Sequence, residues 1–282
     1  MSDERQQSGS GPRASSLAVV VLQYGGGEMT CDAVTSFRAA CGTHHELVIV
    51  DNASPADADR EAVAALEGVR TLFLSANLGF GAGNNRGAAE TEADVLLFLN
   101  NDTLTTTDFV TPVLDAFARD PEIGIIGPAI ANPDGTPQLS HGRLPSIGRE
   151  AIDRCTYRWV DAGHALGRRM ARRHVARRYT VEWVTGAALF IRRELFAALG
   201  GFDEEYFLYF EDKDLCARCR QAGRAVVFLP VRGVTHVRGG SAPPETHDRM
   251  RAIYRVSQRR YYARHRPAWE QRALKAYQAL TG

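Results

Sequence analysis

Cysteine is scarce: the 282 residues contain five, at positions 31, 41, 155, 216 and 219. An odd, scattered set excludes a small domain stapled by disulfides, and reduced thiols are expected. Cys216 and Cys219 form a lone CxxC with no second pair. They read as small helix-packing residues rather than a zinc site. No apolar run reaches the roughly 20 residues that a bilayer span requires. The net charge is only +1, which excludes a global basic signal for nucleic acid. Residues 1–16 have no apolar h-region, so they read as a disordered tail and not as a secretory signal. The expected setting is cytoplasmic, with the inner face of the membrane as the alternative.

What the chain does have is rhythm. Leu17–Leu22 is a continuous apolar, β-branched run, as suits a strand buried on both faces of a parallel sheet. Further strands are expected at Glu46–Val50, Val69–Leu74, Val95–Leu99, Ile123–Ile126 and Ala225–Leu229. Helices are expected near Met29–Ala40, Ala56–Leu66, Gly81–Ala89, Thr107–Arg119, Arg193–Leu199 and Asp212–Ala222. This alternation predicts an α/β fold: a Rossmann-like, mostly parallel central sheet flanked by helices. Asn132-Pro133-Asp134-Gly135 reads as a turn, plausible as a hairpin tip. Arginines crowd residues 149–178, read as an insert, and 249–266. The last 40 or so residues read as a C-terminal helical extension broken at Pro267.

Open α/β sheets bind ligands at the carboxyl ends of their strands. Polar clusters fall there: Asp51-Asn52-Ala53-Ser54, then Asn77 to Asn85, then Asn100-Asn101-Asp102. A fourth, Glu211-Asp212-Lys213-Asp214, opens a later helix. Each has a plain structural alternative. Asp51 and Ser54 also suit turns and caps. Gly79, Gly81 and Gly83 also suit a tight loop packing a helix against the sheet; they lack dinucleotide spacing and follow the wrong strand. Carboxylates at 211–214 also suit a helix N-terminus. Together the clusters suggest chemistry. Asp102, at the end of an apolar strand, can hold a hard divalent cation, Mg²⁺ or Mn²⁺. Asp212, or Glu211, can take a proton from an acceptor hydroxyl across a cleft.

With the clusters in this order, residues 17–241 resemble the family-2 inverting glycosyltransferases of GT-A fold, most closely a rhamnosyltransferase-like branch. The resemblance implies a nucleotide-binding half at 17–128, an acceptor-side half at 129–241, and separate helices at 242–282. It implies that Asp51 contacts the nucleotide base, with Asn52 and Ser54 beside it, and that Asn77, Gly79, Gly83 and Asn84 line the nucleotide and sugar. Asn100-Asn101-Asp102 stands for the family's metal motif, its first Asp replaced by Asn100. Trp183, Gly186 and Ala187 are implied on the acceptor side, Trp183 having a core role as its alternative. Glu211-Asp212 carries the base, Asp212 first. His236 completes the metal site or is a satisfied loop histidine. Gln23 and Tyr24 depart from the family's Asn-Tyr-Asn beside the nucleotide.

The implied reaction moves a sugar from a nucleotide-diphosphate donor, dTDP-rhamnose or a UDP-hexose, with inversion. The acceptor is a glycan, a lipid-linked sugar or a small molecule; nucleic acid is not expected. The arginine-rich stretches, with Tyr254, Tyr261 and Tyr262, suggest either peripheral contact with anionic lipid or a solvated or homodimer face. A nucleotidyltransferase and a non-catalytic nucleotide-sugar binding module remain as rivals.

Overall fold

The computed structural model describes residues 15–150, 152, 176–237 and 244–281. Cys155, most of the tail, most of the arginine-rich insert and the Gly239-Gly240-Ser241 segment lie outside them. Strands β1 (Leu17–Gln23), β2 (Glu46–Asp51), β3 (Arg70–Phe73) and β4 (Val95–Asn100) alternate with helices α1 (Gly27–Cys41), α2 (Asp57–Ala64) and α3 (Phe80–Ala88). Then come β5 (Thr103–Thr105), α4 (Val110–Arg119), β6 (Ile123–Ala131), β7 (His141–Gly142), β8 (Tyr179–Val181), β9 (Trp183–Val184) and β10 (Ala188–Arg192). The chain closes with α5 (Arg193–Ala198), α6 (Glu211–Gln221), β11 (Ala225–His236), α7 (Pro244–His265) and α8 (Ala268–Leu280).

Nine strands form one sheet, ordered β3-β2-β1-β4-β10-β6-β11-β5 with β8 also on β11. β1 to β4 run parallel, as do β6 and β11; β10 runs antiparallel between β4 and β6. The alternation of side chains along β1 explains its unbroken apolar run. Leu17, Val19 and Val21 enter one core with Val34 and Phe37 of α1 and Val113 and Phe117 of α4. Ala18 and Val20 enter the other, with Ala88 of α3, Phe196 of α5, and Leu215, Cys216 and Cys219 of α6. The CxxC pair is thus core packing, and both thiols are free.

Two strands run further than their sequence suggests. β6 continues to Ala131, and residues 132–136 turn through Asn132 N–H to Thr136 O and Gly135 N–H to Asn132 O. β11 continues past Pro230 and Gly233 to His236 by means of an irregularity between Leu229 and Val234. Bulges are where a sheet tolerates proline and glycine. That extension decides where His236 lies: it pairs with Thr103, directly after Asp102.

The C-terminal helices form a third cluster, in which Tyr261, Tyr262 and Leu274 meet Tyr206 and Phe210. The arginines of α7 are largely engaged within the chain. Arg255 donates to Thr281 O at 3.0 Å and Arg259 to Gln278 Oε1 at 2.9 Å. Arg260 and Arg264 pair with Asp203, and Arg266 with Glu270. Tyr261 and Tyr262 are buried in this contact, while Tyr254 stays 38% exposed. Among the described residues no helix is long and apolar enough to cross a membrane.

Candidate active site

Parallel register brings the polar strand ends to one edge: Gln23 lies opposite Asp51, and Leu22 opposite Asn100. Antiparallel β10 begins at the same edge, Ala188 opposite Leu99. Gln23, Asp51 and Ser54 bind one another there. Gln23 Nε2 donates to Asp51 Oδ2 at 2.8 Å and to Asp59 O at 3.1 Å. Asp51 Oδ1 accepts from Ser54 N–H at 3.0 Å, and Ser54 Oγ accepts from Gly25 N–H at 2.8 Å. Asp51 is fully buried, so its carboxylate shapes the loop instead of presenting itself to solvent. Gln23 Oε1 is buried without a partner, and Tyr24 stands 55% exposed beside it.

Asn52 organises the next loop. Its amide donates to Asn77 Oδ1 at 2.9 Å and Gly79 O at 3.1 Å, and its Oδ1 accepts from Leu78 N–H at 2.9 Å. Gly79 has φ 89°, and a Cβ there would fall on the Phe207 carbonyl. Gly83 lets α3 sit on Leu22 of β1. Asn84 is buried and donates to Phe80 O at 3.0 Å; Asn85 grips Phe202 through both its N–H and C=O. These two amides, of which Asn84 is expected beside the nucleotide and sugar, are engaged in holding α3 to its own start and to the 202–204 segment.

At the end of β4, Asp102 Oδ1 lies 2.9 Å from His236 Nε2. His236 Nδ1 lies 3.2 Å from Gln138 Oε1. The imidazole is thus set between a glutamine amide and a carboxylate, with one ring nitrogen toward each. Asn100 Oδ1 is buried without a partner, and its Nδ2 is 3.5 Å from the same ring nitrogen. Asn101 faces the other way, donating to Thr30 Oγ1 at 3.1 Å. Among the described residues, no three His, Cys, Asp or Glu side chains gather into a ready-made metal cage.

The carboxylate pair opens α6. Tyr209 and Phe210, just before it, both have left-handed backbone, φ 68° and 69°; non-glycine residues seldom do so outside strained or functional turns. Asp212 Oδ1 accepts from Lys213 N–H at 2.7 Å, and Oδ2 from Gly186 N–H at 3.2 Å. Glu211 is buried, and its Oε2 has no partner. Burial first, then the neighbouring Asp212 charge, push its carboxyl up to about 8. The two corners share one stretch of backbone: Asn100 N–H donates to Ala187 O at 3.0 Å, one residue from the Gly186 amide that holds Asp212. Trp183 is buried, donates to Arg143 O at 2.9 Å and carries Lys213 Nζ 4.5 Å over its ring. That is a core tryptophan, not an open sugar platform. Gln138, whose Oε1 faces His236, belongs to no motif of the sequence, and nothing local to Lys213 foretells its place over Trp183.

A family model described as glycosyl transferase family 2 matches residues 18–198. The chain belongs to glycosyl transferase family 2. It is 31% identical over 232 residues to the N-acetylglucosaminyl-diphospho-decaprenol L-rhamnosyltransferase of Mycobacterium tuberculosis (strain CDC 1551 / Oshkosh), covering 78% of this chain and 75% of that one. It is 28% identical over 229 residues to the pre-mycofactocin glycosyltransferase of the same strain, covering 80% of this chain and 44% of that one. Among solved structures it resembles GalNAc-T7 with UDP, GalNAc and Mn²⁺, with TM-score 0.62, 17% identity, and 90% of this chain and 51% of that one covered. It also resembles the Pyrobaculum calidifontis mannosyltransferase PcManGT in complex with GDP-Man and Mn²⁺, with TM-score 0.58, 15% identity, and 94% and 70% covered. This family-2 chain is a glycosyltransferase with the GT-A fold. That removes the nucleotidyltransferase and the non-catalytic module from consideration.

Proposed function

We propose that the chain transfers a sugar, L-rhamnose from dTDP-rhamnose first and a hexose from a UDP-hexose second, with inversion onto a hydroxyl of a lipid-linked glycan. The observation that supports the mechanism is the backbone link from Asn100 to Ala187, next to the Gly186 amide that holds Asp212. The sugar and the acceptor rest on the rhamnosyltransferase relative, which matches most of both chains.

Asp102 Oδ1, His236 Nε2 and Asn100 Oδ1 are oxygen and imidazole donors of the kind that would hold Mg²⁺ or Mn²⁺. Such an ion, when bound, neutralises the charge of the departing diphosphate. Glu211 holds its proton at neutral pH, which leaves Asp212 as the acceptor of the hydroxyl proton. The Gly186 and Lys213 amides fix the Asp212 carboxylate in place. The acceptor oxygen then bonds to the anomeric carbon from the face opposite the diphosphate. The glycosyl–phosphate bond breaks toward phosphate, and the proton ends on Asp212.

A lipid-linked acceptor gives a use to the outer face of α8. Trp269, Ala273, Ala276 and Leu280 recur at i, i+4, i+7 and i+11, one helical stripe, with Trp269 63% and Leu280 87% exposed. The exposed charges of α8 are Arg272 and Lys275, while its acid, Glu270, is buried against Arg266. A stripe flanked only by cations suits anionic lipid. In a two-fold dimer the same face would set cation against cation. Co-sedimentation with phosphatidylglycerol vesicles, but not with phosphatidylcholine vesicles, is expected, and to be lost in Trp269→Ser/Leu280→Ser. A concentration-dependent dimer abolished by that double variant would replace lipid with a second copy.

The reaction is tested by incubating the chain with N-acetylglucosaminyl-diphospho-polyprenol, Mg²⁺ or Mn²⁺, and dTDP-rhamnose or UDP-hexoses in turn. Transfer from dTDP-rhamnose is expected. A chain that neither transfers from, hydrolyses, nor is thermally stabilised by any nucleoside-diphosphate sugar would overturn the proposal.

A further inference from the structure

The family model ends at residue 198, before the carboxylate pair; the Gly186 amide holds Asp212 from within the matched region, and the remaining support lies further on. Glu211 follows two consecutive non-glycine residues in left-handed conformation. Such a turn persists only where its surroundings over-determine it. Those surroundings are supplied by α7. The Phe210 ring centroid lies 5.1 Å from that of Tyr254 and 5.5 Å from that of Tyr261. Tyr209 packs on Tyr254 at 5.7 Å, and its hydroxyl reaches Met250 Sδ at 3.8 Å. Ser257 Oγ donates to the Leu208 carbonyl at 2.7 Å. Met250, Tyr254, Ser257 and Tyr261 fall at i, i+4, i+7 and i+11, so one face of α7 meets the whole turn.

A second grip lies on the other side of the pair. Asp214, two residues beyond Asp212, is fully buried. Its Oδ2 accepts from Arg218 Nε at 2.7 Å, while its Oδ1 lies 2.7 Å from His265 Nε2 and 3.6 Å from Arg264 Nε. Arg260 and Arg264 also hold Asp203, where the segment begins.

We infer that α7 is a clamp that sets the position of Asp212, with Tyr254, Ser257 and His265 as positioning residues that touch no substrate. Glu211 and Asp212 sit between two fixed points, the Leu208–Phe210 turn and Asp214, and both points are held by the same helix. Releasing either lets the start of α6 relax, so that Asp212 loses its register against the Gly186 amide. The donor-side corner at Asp102 and His236 belongs to other strands and stays in place. Loss of the clamp is therefore felt in turnover rather than in donor binding. This effect on turnover rests on the assignment of Asp212 as base; the mechanical claim does not.

The experiment uses the full chain with His265→Ala, His265→Gln and Ser257→Ala. Gln can restore a donor toward Asp214, so it is the conservative rescue. Hydrogen exchange of residues 206–215 should accelerate about tenfold or more in His265→Ala, with strands β1 and β4 unchanged and His265→Gln near wild type. In transfer from dTDP-rhamnose to N-acetylglucosaminyl-diphospho-polyprenol, kcat should fall at least tenfold, while KM for the donor stays within about twofold. Ser257→Ala, which removes one hydrogen bond, should move both readouts in the same direction by a few-fold and covers the case in which His265→Ala fails to fold. Unchanged exchange at 206–215 in a folded variant would overturn the clamp. So would a uniform rise in exchange across the sheet, which would mark a merely structural role. If the wild type transfers nothing, the proposed reaction falls while the exchange result still decides the clamp.

Discussion

Replacing Glu211 with Gln tests which of the adjacent carboxyls reacts. Burial and the Asp212 charge raise Glu211 from 4.5 to about 8, and its Oε2 has no partner that would stabilise an anion. The folded chain thus holds a proton that the unfolded chain releases. Stability from this group is complete below the unfolded value of 4.5 and is lost as pH climbs toward 8. Each pH unit in that window costs the fold up to about 1.4 kcal/mol. From about pH 6 to about pH 8 the loss reaches roughly 2–2.5 kcal/mol, the folded acid being half ionised at the upper end. Gln has the shape of the protonated acid and no proton to lose. Thermal melts should therefore show Glu211→Gln gaining on the wild type by roughly 5–10 °C over that range, at about 2–4 °C per kcal/mol for a chain of this size. Transfer at pH 7 should stay within about threefold of wild type, since a residue that stays protonated supplies no general base. Melting curves of the two proteins that shift in parallel with pH would refute the protonated Glu211. A large loss of transfer would make Glu211 the base.

Two further outcomes follow from packing and from the cation corner. Gly79→Ala should destabilise the chain by about 2–4 kcal/mol, combining a left-handed backbone with a Cβ against the Phe207 carbonyl; a denaturant midpoint near wild type would contradict that geometry. Asp102→Ala should abolish the dependence of dTDP binding on Mn²⁺ by calorimetry, and a chelator should reduce the wild type to the level of the variant.

The doubly wound pattern was legible because each strand has to fill two cores, which writes unbroken apolar runs such as Leu17–Leu22 into the sequence. The strand-end clusters were legible because register, not distance along the chain, sets their level at the sheet edge. Other features depend on contacts that no local pattern records. β11 reaches His236 through Pro230 and Gly233, residues that locally read as a stop. Trp183 looks alike whether it faces a sugar or carries Lys213 on a buried ring. Asp51 sits at the expected strand end, yet its oxygens are engaged by Gln23 and Ser54. Arg260 and Arg264 of α7 resemble a lipid-facing run because their partners, Asp203 and Asp214, lie fifty or more residues earlier.

The central claim is that Asp212 takes the acceptor proton while the Asp102–His236 corner serves the donor. Asp212→Asn separates the two roles in one protein. Single-turnover transfer should fall about 100-fold or more, the scale of a lost general base, while dTDP affinity with Mn²⁺ matches wild type. Transfer near the wild-type rate would contradict the account.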